Sequence, residues 1–203
     1  MGLYADWILP HLINLSMSNR DLVPDRQRII SAAEGRVLEI GIGSGLNLPY
    51  YGPQVREIIG LDPSSRLLAM ARRAAEEAAI PVAFTECTAE EISLDDRSVD
   101  TAVTTWTLCS IPSGVRALRE VRRVLKPGGQ LLFVEHGLSP EENVRKWQDR
   151  LTPLWKRIGG GCHLNRPIRQ MIETAGFKVS HIETGYAKGP KPMTFMYEGR
   201  GSQ

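Results

Sequence analysis

Short apolar runs alternate with helical stretches between residues 36 and 136, and this alternation narrows the possible folds more than any other feature. Helices are predicted at 64–79 and 113–125, the second stopped by Lys126–Gly129, "KPGG". Strands and helices that alternate at this pitch form a mainly parallel sheet with helices on both faces. Five runs have the composition and flanking residues of buried strands: 36–40, 56–62, 81–87, 98–106 and 130–136.

The pattern changes after the fifth strand. A long helix is predicted at 139–157 and a shorter one at 167–175, with a glycine-rich loop between them. Two final strands, 177–185 and 192–199, are joined by a short Gly/Pro/Lys turn that suits an antiparallel pair. Residues 199–203, "GRGSQ", are expected to fray. The sequence therefore predicts an α/β fold with a seven-stranded sheet, mainly parallel, that ends in a C-terminal antiparallel hairpin.

The chain of 203 residues is long enough for one domain with a sizeable core, and it contains no internal repeat. We therefore expect a single domain over 1–203, with N-terminal helices in 1–34 and a helical insertion over 138–163. The first helix, predicted at 5–17, carries apolar residues at helical spacing. It could pack on the domain surface, close over a pocket as a lid, or touch a membrane weakly. The second helix is predicted at 25–33.

Composition excludes several classes of function. Lys and Arg total 25 and Asp and Glu total 23, without a basic stripe, so no nucleic-acid partner is expected. The three cysteines are widely separated and form no CxxC pair, so no zinc site is indicated. Their odd number argues against a disulfide framework and favours a reducing, cytoplasmic setting. No stretch approaches the roughly 20 apolar residues of a membrane span, and no signal peptide is recognised.

Three glycines and two acids mark the predicted ligand site. Gly41, Gly43 and Gly45 lie at the carboxyl end of the first strand, where open parallel sheets bind ligands. They form G-x-G-x-G, one residue shorter than the dinucleotide fingerprint, and a tight turn without a ligand is the alternative. Asp62 ends the second strand and could accept two hydrogen bonds from a ribose diol or cap the next helix. Glu39 lies inside an apolar strand, where it needs a partner; it could bind a ligand ammonium or hold the glycine loop.

Four motifs occur together in one order: "LEIGIGSG" at 38–45, "GLDPS" at 60–64, "TAEEISLDDRSVD" at 88–100 and "LREVRRVLKPGG" at 118–129. In order and spacing they resemble the motifs of class I S-adenosylmethionine-dependent methyltransferases over residues 37–135. The resemblance implies a Rossmann-like doubly wound sheet, S-adenosyl-L-methionine as cofactor and S-adenosyl-L-homocysteine as product.

The resemblance also implies which positions bind the cofactor. The glycines would approach its amino-acid part and Asp62 would accept the ribose hydroxyls. Ala89 and Glu90 would flank the adenine, and Thr105 and Trp106 would line the methionine portion and the mouth of the acceptor site. The implied cofactor-binding positions are Glu39, Gly41, Ile42, Gly43, Gly45, Asn47, Asp62, Pro63, Ser64, Thr88, Ala89, Glu90, Thr105 and Trp106.

A second set of motifs narrows the resemblance to one family of methyltransferases. "TLCSI" at 107–111, "FVEH" at 133–136, "GCHLNR" at 161–166 and the tryptophans of the insertion resemble the methyltransferase-like thiol S-methyltransferases. Animal members carry an N-terminal membrane anchor that this chain lacks, so it resembles a compact, bacterial-type relative. The cofactor motifs are also similar to those of phosphatidylethanolamine N-methyltransferases, and a lipid amine acceptor stays open.

The implied reaction is an in-line displacement on an activated methyl group. A thiol has a pKa of about 8.5, so a small fraction is thiolate at neutral pH without help. His136, directly after the fifth strand, is the candidate catalytic residue; a histidine that is only hydrogen-bonded at a strand end is the alternative. No metal ligand is predicted. The predicted acceptor-binding residues are Tyr4, Trp106, Cys109, His136 and His163.

Two other functions compete with methyl transfer. A nicotinamide-dependent oxidoreductase would share the glycine-rich turn, but the early third glycine and the lack of a Tyr-x-x-x-Lys pair argue against it. A non-catalytic cofactor-binding module would retain the glycine and acid positions without turnover. The expected partner is a small-molecule methyl acceptor, with no stable membrane insertion beyond weak peripheral contact, and the expected state is a monomer or small homo-oligomer.

Overall fold

The structure is a computed structural model that describes residues 4–203, apart from the side chains of residues 5 and 6. The strands are β1 (Gly35–Ile40), β2 (Val55–Leu61), β3 (Val82–Thr85), β4 (Val99–Thr105), β5 (Leu125–His136), β6 (Lys178–Tyr186) and β7 (Phe195–Ser202). The helices are α1 (Leu9–Met17), α2 (Val23–Ile30), α3 (Ser65–Ala75), α4 (Gly114–Val124), α5 (Glu142–Ile158), α6 (Ile168–Thr174) and α7 (Lys191–Thr194). A π-helical turn, Tyr4–Ile8, precedes α1, and 3-10 turns span Arg20–Leu22 and Leu48–Tyr50.

The seven strands form one sheet in the order β3-β2-β1-β4-β5-β7-β6. All pairs from β3 to β5 are parallel, whereas β7 runs antiparallel to both β5 and β6. The predicted α/β architecture, with its antiparallel C-terminal hairpin, is confirmed. The strand order reverses between β1 and β4, so a crevice is expected at the carboxyl ends of these two strands.

Successive side chains of β1 point to opposite faces of the sheet and so contribute to two separate parts of the core. Leu38 and Ile40 contribute to one buried cluster, which includes Leu118 of α4. Val37 belongs to a second cluster on the opposite face, which includes Ile30 of α2. Both faces are therefore covered, and polar groups at the carboxyl edge are held on a rigid support.

Several predicted boundaries differ from the observed ones. The stretch "KPGG" is a bulge within β5: Val99 pairs with Leu125, whereas Thr101 pairs with Gln130. Helix α2 begins and ends earlier than the predicted 25–33, and α5 begins three residues after the predicted start. The expected fraying of 199–203 is wrong, because β7 extends to Ser202, which pairs with both neighbouring strands.

Helix α1 lies against the glycine loop, and the π-helical turn before it contacts α5 and α3. Asn14 accepts a hydrogen bond from the Ser44 hydroxyl at 2.6 Å, and the Tyr4 hydroxyl donates to the carbonyl of Ile158 at 2.7 Å. The Arg66 guanidinium, on α3, stacks over the Trp7 ring. This position would suit the predicted lid, which stays a prediction. Over residues 4–203, no helix is long and apolar enough to cross a bilayer.

Candidate active site

The glycine-rich loop leaves β1 and turns sharply at the switch point. Gly41, Gly43 and Gly45 all have positive φ, at +65°, +57° and +81°, a conformation that L side chains rarely adopt. A Cβ at Gly43 would meet only the Gly41 carbonyl oxygen, at 3.9 Å, so the space above this residue is open. A ligand can therefore approach the backbone closely at Gly43.

Asp62 is bound to the glycine loop by its carboxylate. Oδ2 accepts the Gly43 N–H at 3.1 Å and Oδ1 accepts the Ser64 N–H at 2.8 Å. The Ser64 side chain, not Asp62, caps α3 by accepting the Leu67 N–H at 3.3 Å. Burial raises the pKa of Asp62, and the two backbone donors oppose that rise. Each carboxylate oxygen keeps a free lone pair that could accept a ligand hydroxyl.

Glu39 is the centre of a buried hydrogen-bond network under the loop. Its Oε1 accepts from the Asn47 amide and its Oε2 from the Tyr51 hydroxyl, both at 2.7 Å. Asn47 also donates to Thr105 Oγ1 at 3.0 Å and accepts from Arg26 Nη1 at 2.5 Å. Burial raises the pKa of Glu39 to about 7, although the Tyr51 and Asn47 hydrogen bonds favour the charged form. These contacts correspond to the second predicted role of Glu39, which is to hold the glycine loop.

Arg26 reaches this network from α2, and the sequence analysis did not single it out. Its side chain is buried and donates to the carbonyl of Met17 at 2.9 Å. Its guanidinium also stacks over the Trp106 ring, 4.7 Å from the centroid. An arginine among polar residues of a short helix carries no local signal of burial, so only the packing of α2 reveals its role.

Trp106 has an unusual backbone conformation immediately after β4. Its φ is +51°, which is rare and costly for a bulky residue. Its N–H donates to the carbonyl of Val134 at 2.7 Å, which holds the turn against β5. The indole Nε1 is buried without a partner among the described residues. Strain and an unpaired donor at one residue are typical of a functional site.

Glu135, near the end of β5, was not predicted as a site residue. It is fully buried, and its Oε1 accepts from the Thr104 hydroxyl at 2.7 Å and from the Thr107 N–H at 3.0 Å. Burial raises its pKa to about 7, against the opposing effect of these donors. Its Oε2 has no partner within the described part of the chain. The sequence did offer a signal for this residue, because Glu135 is an acid inside the apolar run "LLFVEH".

His136 lies beside two cysteines that are distant in sequence. Its Nδ1 is 3.7 Å from the Cys162 sulfur. The ligand atoms of Cys109, His136 and Cys162 all lie within 4.8 Å of one another. His136 is 6 % exposed, and its Nε2 is buried without a partner in residues 4–203. The fold therefore brings together two thiols and an imidazole at the carboxyl edge of β4 and β5.

The other two predicted acceptor-binding residues occupy different surroundings. His163 Nδ1 is 3.3 Å from the Cys109 carbonyl oxygen and 3.3 Å from Arg166 Nη2, so it borders the cysteine cluster. Tyr4 is 37 % exposed, and its hydroxyl is bonded to the end of α5 at Ile158.

The remaining predicted cofactor positions are divided between core and surface. The side chain of Ile42 packs against Gly60, and Ala89 is buried in the core. Pro63 is exposed, and the Thr88 carbonyl accepts the Glu91 N–H at 3.2 Å. The Glu90 carboxylate accepts the N–H of Ser113 at 3.0 Å, before the start of α4. Their assignment to the cofactor stays a prediction.

A surface depression of about 540 Å³ lies elsewhere, at the amino ends of the strands. Its position, on the opposite edge from the glycine loop, separates it from the groups described above. Its charged lining residues already form ion pairs, as where Arg56 and Lys126 bind Asp100. The depression is lined by Arg36, Arg56, Glu57, Pro81, Ser98 and Lys126.

Comparison with known proteins places these observations in context. Residues 38–133 match a methyltransferase domain model. The chain is 39% identical to the rat thiol S-methyltransferase TMT1B over 158 residues, which are 74% of this chain and 63% of the rat protein. It is 34% identical to human TMT1B over 194 residues, which are 90% of this chain and 78% of the human protein. The chain thus spans less than two thirds of the length of the rat relative.

Two further proteins are similar over part of the chain. The phosphatidylethanolamine N-methyltransferase of Cereibacter sphaeroides is 37% identical over 109 residues, 53% of each chain. The crystal structure of the YcgJ protein of Bacillus subtilis superimposes with a TM-score of 0.65 at 26% identity, covering 81% of this chain and 72% of that protein.

Proposed function

This chain belongs to the S-adenosylmethionine-dependent methyltransferases, in the family that includes human thiol S-methyltransferase TMT1B, and we propose that it transfers the methyl group to a small, lipophilic thiol. One observation carries the proposal: the glycine loop that Asp62 holds and the cluster around His136 lie at the same edge of the sheet.

The methyl donor of this family is S-adenosylmethionine, a sulfonium whose methyl group is already activated for displacement. Two features of the chain fit such a molecule: the open face above Gly43 and the free lone pairs on Asp62. Asp62 would bind the ribose hydroxyls, and the backbone at Gly41, Gly43 and Gly45 would surround the amino-acid part. Glu39 would act through Asn47, as a positioning residue that holds the loop in this shape.

Alignment is the main contribution that the protein would make to the reaction. Holding two reactants in the attack geometry can lower a barrier by roughly 7–11 kcal/mol in favourable cases. Trp106 is suited to form a rigid wall, since Arg26 stacks on its ring and Val134 holds its backbone. The packing of α1 against the loop would exclude water, as the predicted lid requires.

A thiol is the acceptor that this site could serve with least machinery. His136 Nε2 is buried without a partner among residues 4–203 and could receive the acceptor proton. A thiol of pKa about 8.5 needs little help from such a group, whereas a phenol or ammonium would need more. The human relative, a thiol S-methyltransferase by name, supports the same choice.

Phosphatidylethanolamine is the second candidate acceptor, and a surface feature favours it. Large apolar side chains are exposed on neighbouring helices and could contact a lipid surface. The similarity to the Cereibacter enzyme supports it over half of the chain. These exposed residues are Trp7, Ile8, Leu12 and Leu15 at the N-terminus and Trp147, Leu154 and Ile158 on α5.

We also propose a single domain over 1–203 that works as a monomer or small homo-oligomer, without nucleic acid, in the cytoplasm. The three cysteines are free thiols, which supports a reducing compartment.

The test is transfer of labelled methyl from S-adenosylmethionine to hydrosulfide, a small alkyl thiol, a phenol and phosphatidylethanolamine vesicles. Label in the thiols alone would support the proposal. Label in lipid alone would refute the thiol acceptor and make the apolar faces of α1 and α5 the substrate-docking surface. Cofactor binding by calorimetry without label in any acceptor would favour the non-catalytic module.

A further inference from the structure

The cysteine–histidine cluster has the composition of a metal site, although no such site is expected from the spacing of the cysteines in the sequence. Its ligands come from three separate segments: Cys109 from the loop after β4, His136 from the end of β5 and Cys162 from the loop after α5. Thiolate and imidazole are the preferred ligands of Zn²⁺ in proteins. We infer that Cys109, His136 and Cys162 bind one Zn²⁺ ion.

The distances in the cluster suit this ion. In a tetrahedral zinc site, bond lengths of about 2.3 Å to sulfur and about 2.0 Å to nitrogen place sulfur and nitrogen about 3.5 Å apart and two sulfurs about 3.8 Å apart. His136 Nδ1 and the Cys162 sulfur are 3.7 Å apart. The other two distances in the cluster, from the Cys109 sulfur to the Cys162 sulfur and to the His136 ring nitrogen, are at most 4.8 Å. Side-chain rotations that move these atoms by about 1 Å would complete the geometry.

Backbone hydrogen bonds hold the two cysteine loops together without the metal. The N–H of His163 donates to the carbonyl of Cys109 at 2.8 Å. The carbonyl of Arg166 accepts the N–H of Leu138, two residues after His136, also at 2.8 Å. Outside the cluster, the sulfur of Cys109 makes two weak contacts, at 3.6 Å, with the Trp106 carbonyl and the Ser110 hydroxyl. The ligands are therefore prearranged and their sulfur lone pairs are available.

Charge balance also favours a divalent cation. Two thiolates, one neutral imidazole and Zn²⁺ sum to zero, so the loaded site carries no net buried charge. Coordination through Nδ1 would leave the proton of His136 on Nε2, so in the zinc-loaded site His136 would be a ligand and a hydrogen-bond donor, and it would not receive the acceptor proton as it would in the metal-free site.

Three protein ligands leave a fourth zinc position, as in catalytic zinc sites. If the proposed function holds, the acceptor thiol would bind there as a thiolate and release its proton to solvent. Its sulfur would then form the new S–C bond with the methyl group while the sulfonium S–C bond breaks and leaves its electron pair on the donor sulfur. The thioether product, a weaker ligand than thiolate, would dissociate.

Metal content tests the site without any assay of activity. The full chain is treated with a chelator under reducing conditions, loaded with ZnSO₄, dialysed and analysed by elemental mass spectrometry. About one Zn²⁺ per chain is expected, as for a three-ligand site, and Cys109→Ser or Cys162→Ser should weaken binding by more than the roughly 10–100-fold that loss of an outer-shell partner costs. Cys87→Ser is the matched control, because Cys87 lies after β3, outside the cluster, and should not alter binding.

Cobalt supplies a readout of the ligands. Co²⁺ in the wild-type chain should show a sulfur-to-cobalt charge-transfer band and the visible bands of a tetrahedral site, both lost in the double variant Cys109→Ser/Cys162→Ser. Circular dichroism verifies that the variants fold. An octahedral spectrum, stoichiometric zinc in the double variant, or a Cys109–Cys162 disulfide formed under reducing conditions would each overturn the site.

Failure of the zinc site can be distinguished from failure of the proposed function. Zinc binding without thiol methylation would refute the thiol acceptor and leave the site intact. Thiol methylation unchanged in the zinc-free chain would refute the acceptor-binding role of the fourth position.

Discussion

Replacing Asp62 is the sharpest test of the proposed cofactor site. Its carboxylate already binds the N–H groups of Gly43 and Ser64, and its remaining lone pairs would accept the two ribose hydroxyls. Hydrogen bonds to charged groups contribute about 1.5–3 kcal/mol each. Losing two of them in Asp62→Ala should cost at least about 3 kcal/mol, which raises the Kd for S-adenosylmethionine about 150-fold. Asp62→Asn keeps one acceptor oxygen and should lose less.

Isothermal titration calorimetry measures this effect on the purified chain. Asp95→Ala is the matched control, because Asp95 is an exposed aspartate outside the glycine loop and β2, and its Kd should equal that of the wild type. Thermal melts of all variants separate lost binding from lost folding, since the Gly43 loop also loses a partner. A Kd for folded Asp62→Ala within about threefold of the wild type, less than one tenfold step, would refute the placement of the ribose at Asp62.

Three further predictions concern the interior of the site. Arg26→Met should destabilise the fold by about 3 kcal/mol, because it breaks a buried hydrogen-bonded network. Arg28→Met on the same helix removes the two ion pairs of an exposed arginine, with Asp25 and Glu198, and should cost about 1 kcal/mol; equal costs in urea unfolding would contradict the network. Glu135 has a folded pKa of about 7, above its unfolded value, so its contribution to stability is full below about pH 4.5 and is lost as the pH rises to about 7. Glu135→Gln should therefore make the free energy of unfolding, measured in urea, fall less steeply between these pH values. An unchanged slope in the variant would refute this assignment to Glu135. His136→Ala should lower turnover more than cofactor affinity, with exposed His181→Ala as control; equal loss in both parameters would remove His136 from the catalytic residues.

The sheet could be predicted because each strand is short, apolar and bounded by residues that interrupt it. The runs that became β1, β2 and β4 were located within two residues of their observed limits. The boundaries that failed depend on distant partners. Ser202 is ordered because β5 and β6 pair with it on either side, and this pairing has no signal in its local sequence.

Local sequence alone determined the alternation of strand and helix, the glycine turn after β1 and the acid that ends β2. These follow from backbone conformation and from the burial of apolar side chains, which act over a few residues. Tertiary structure decided which distant side chains meet. Arg26 reaches Asn47 only because α2 packs over the loop, and Cys162 meets His136 only because α5 returns the chain to the end of β5. Contacts between such distant positions depend on the packing of whole elements, and no spacing along the chain records them.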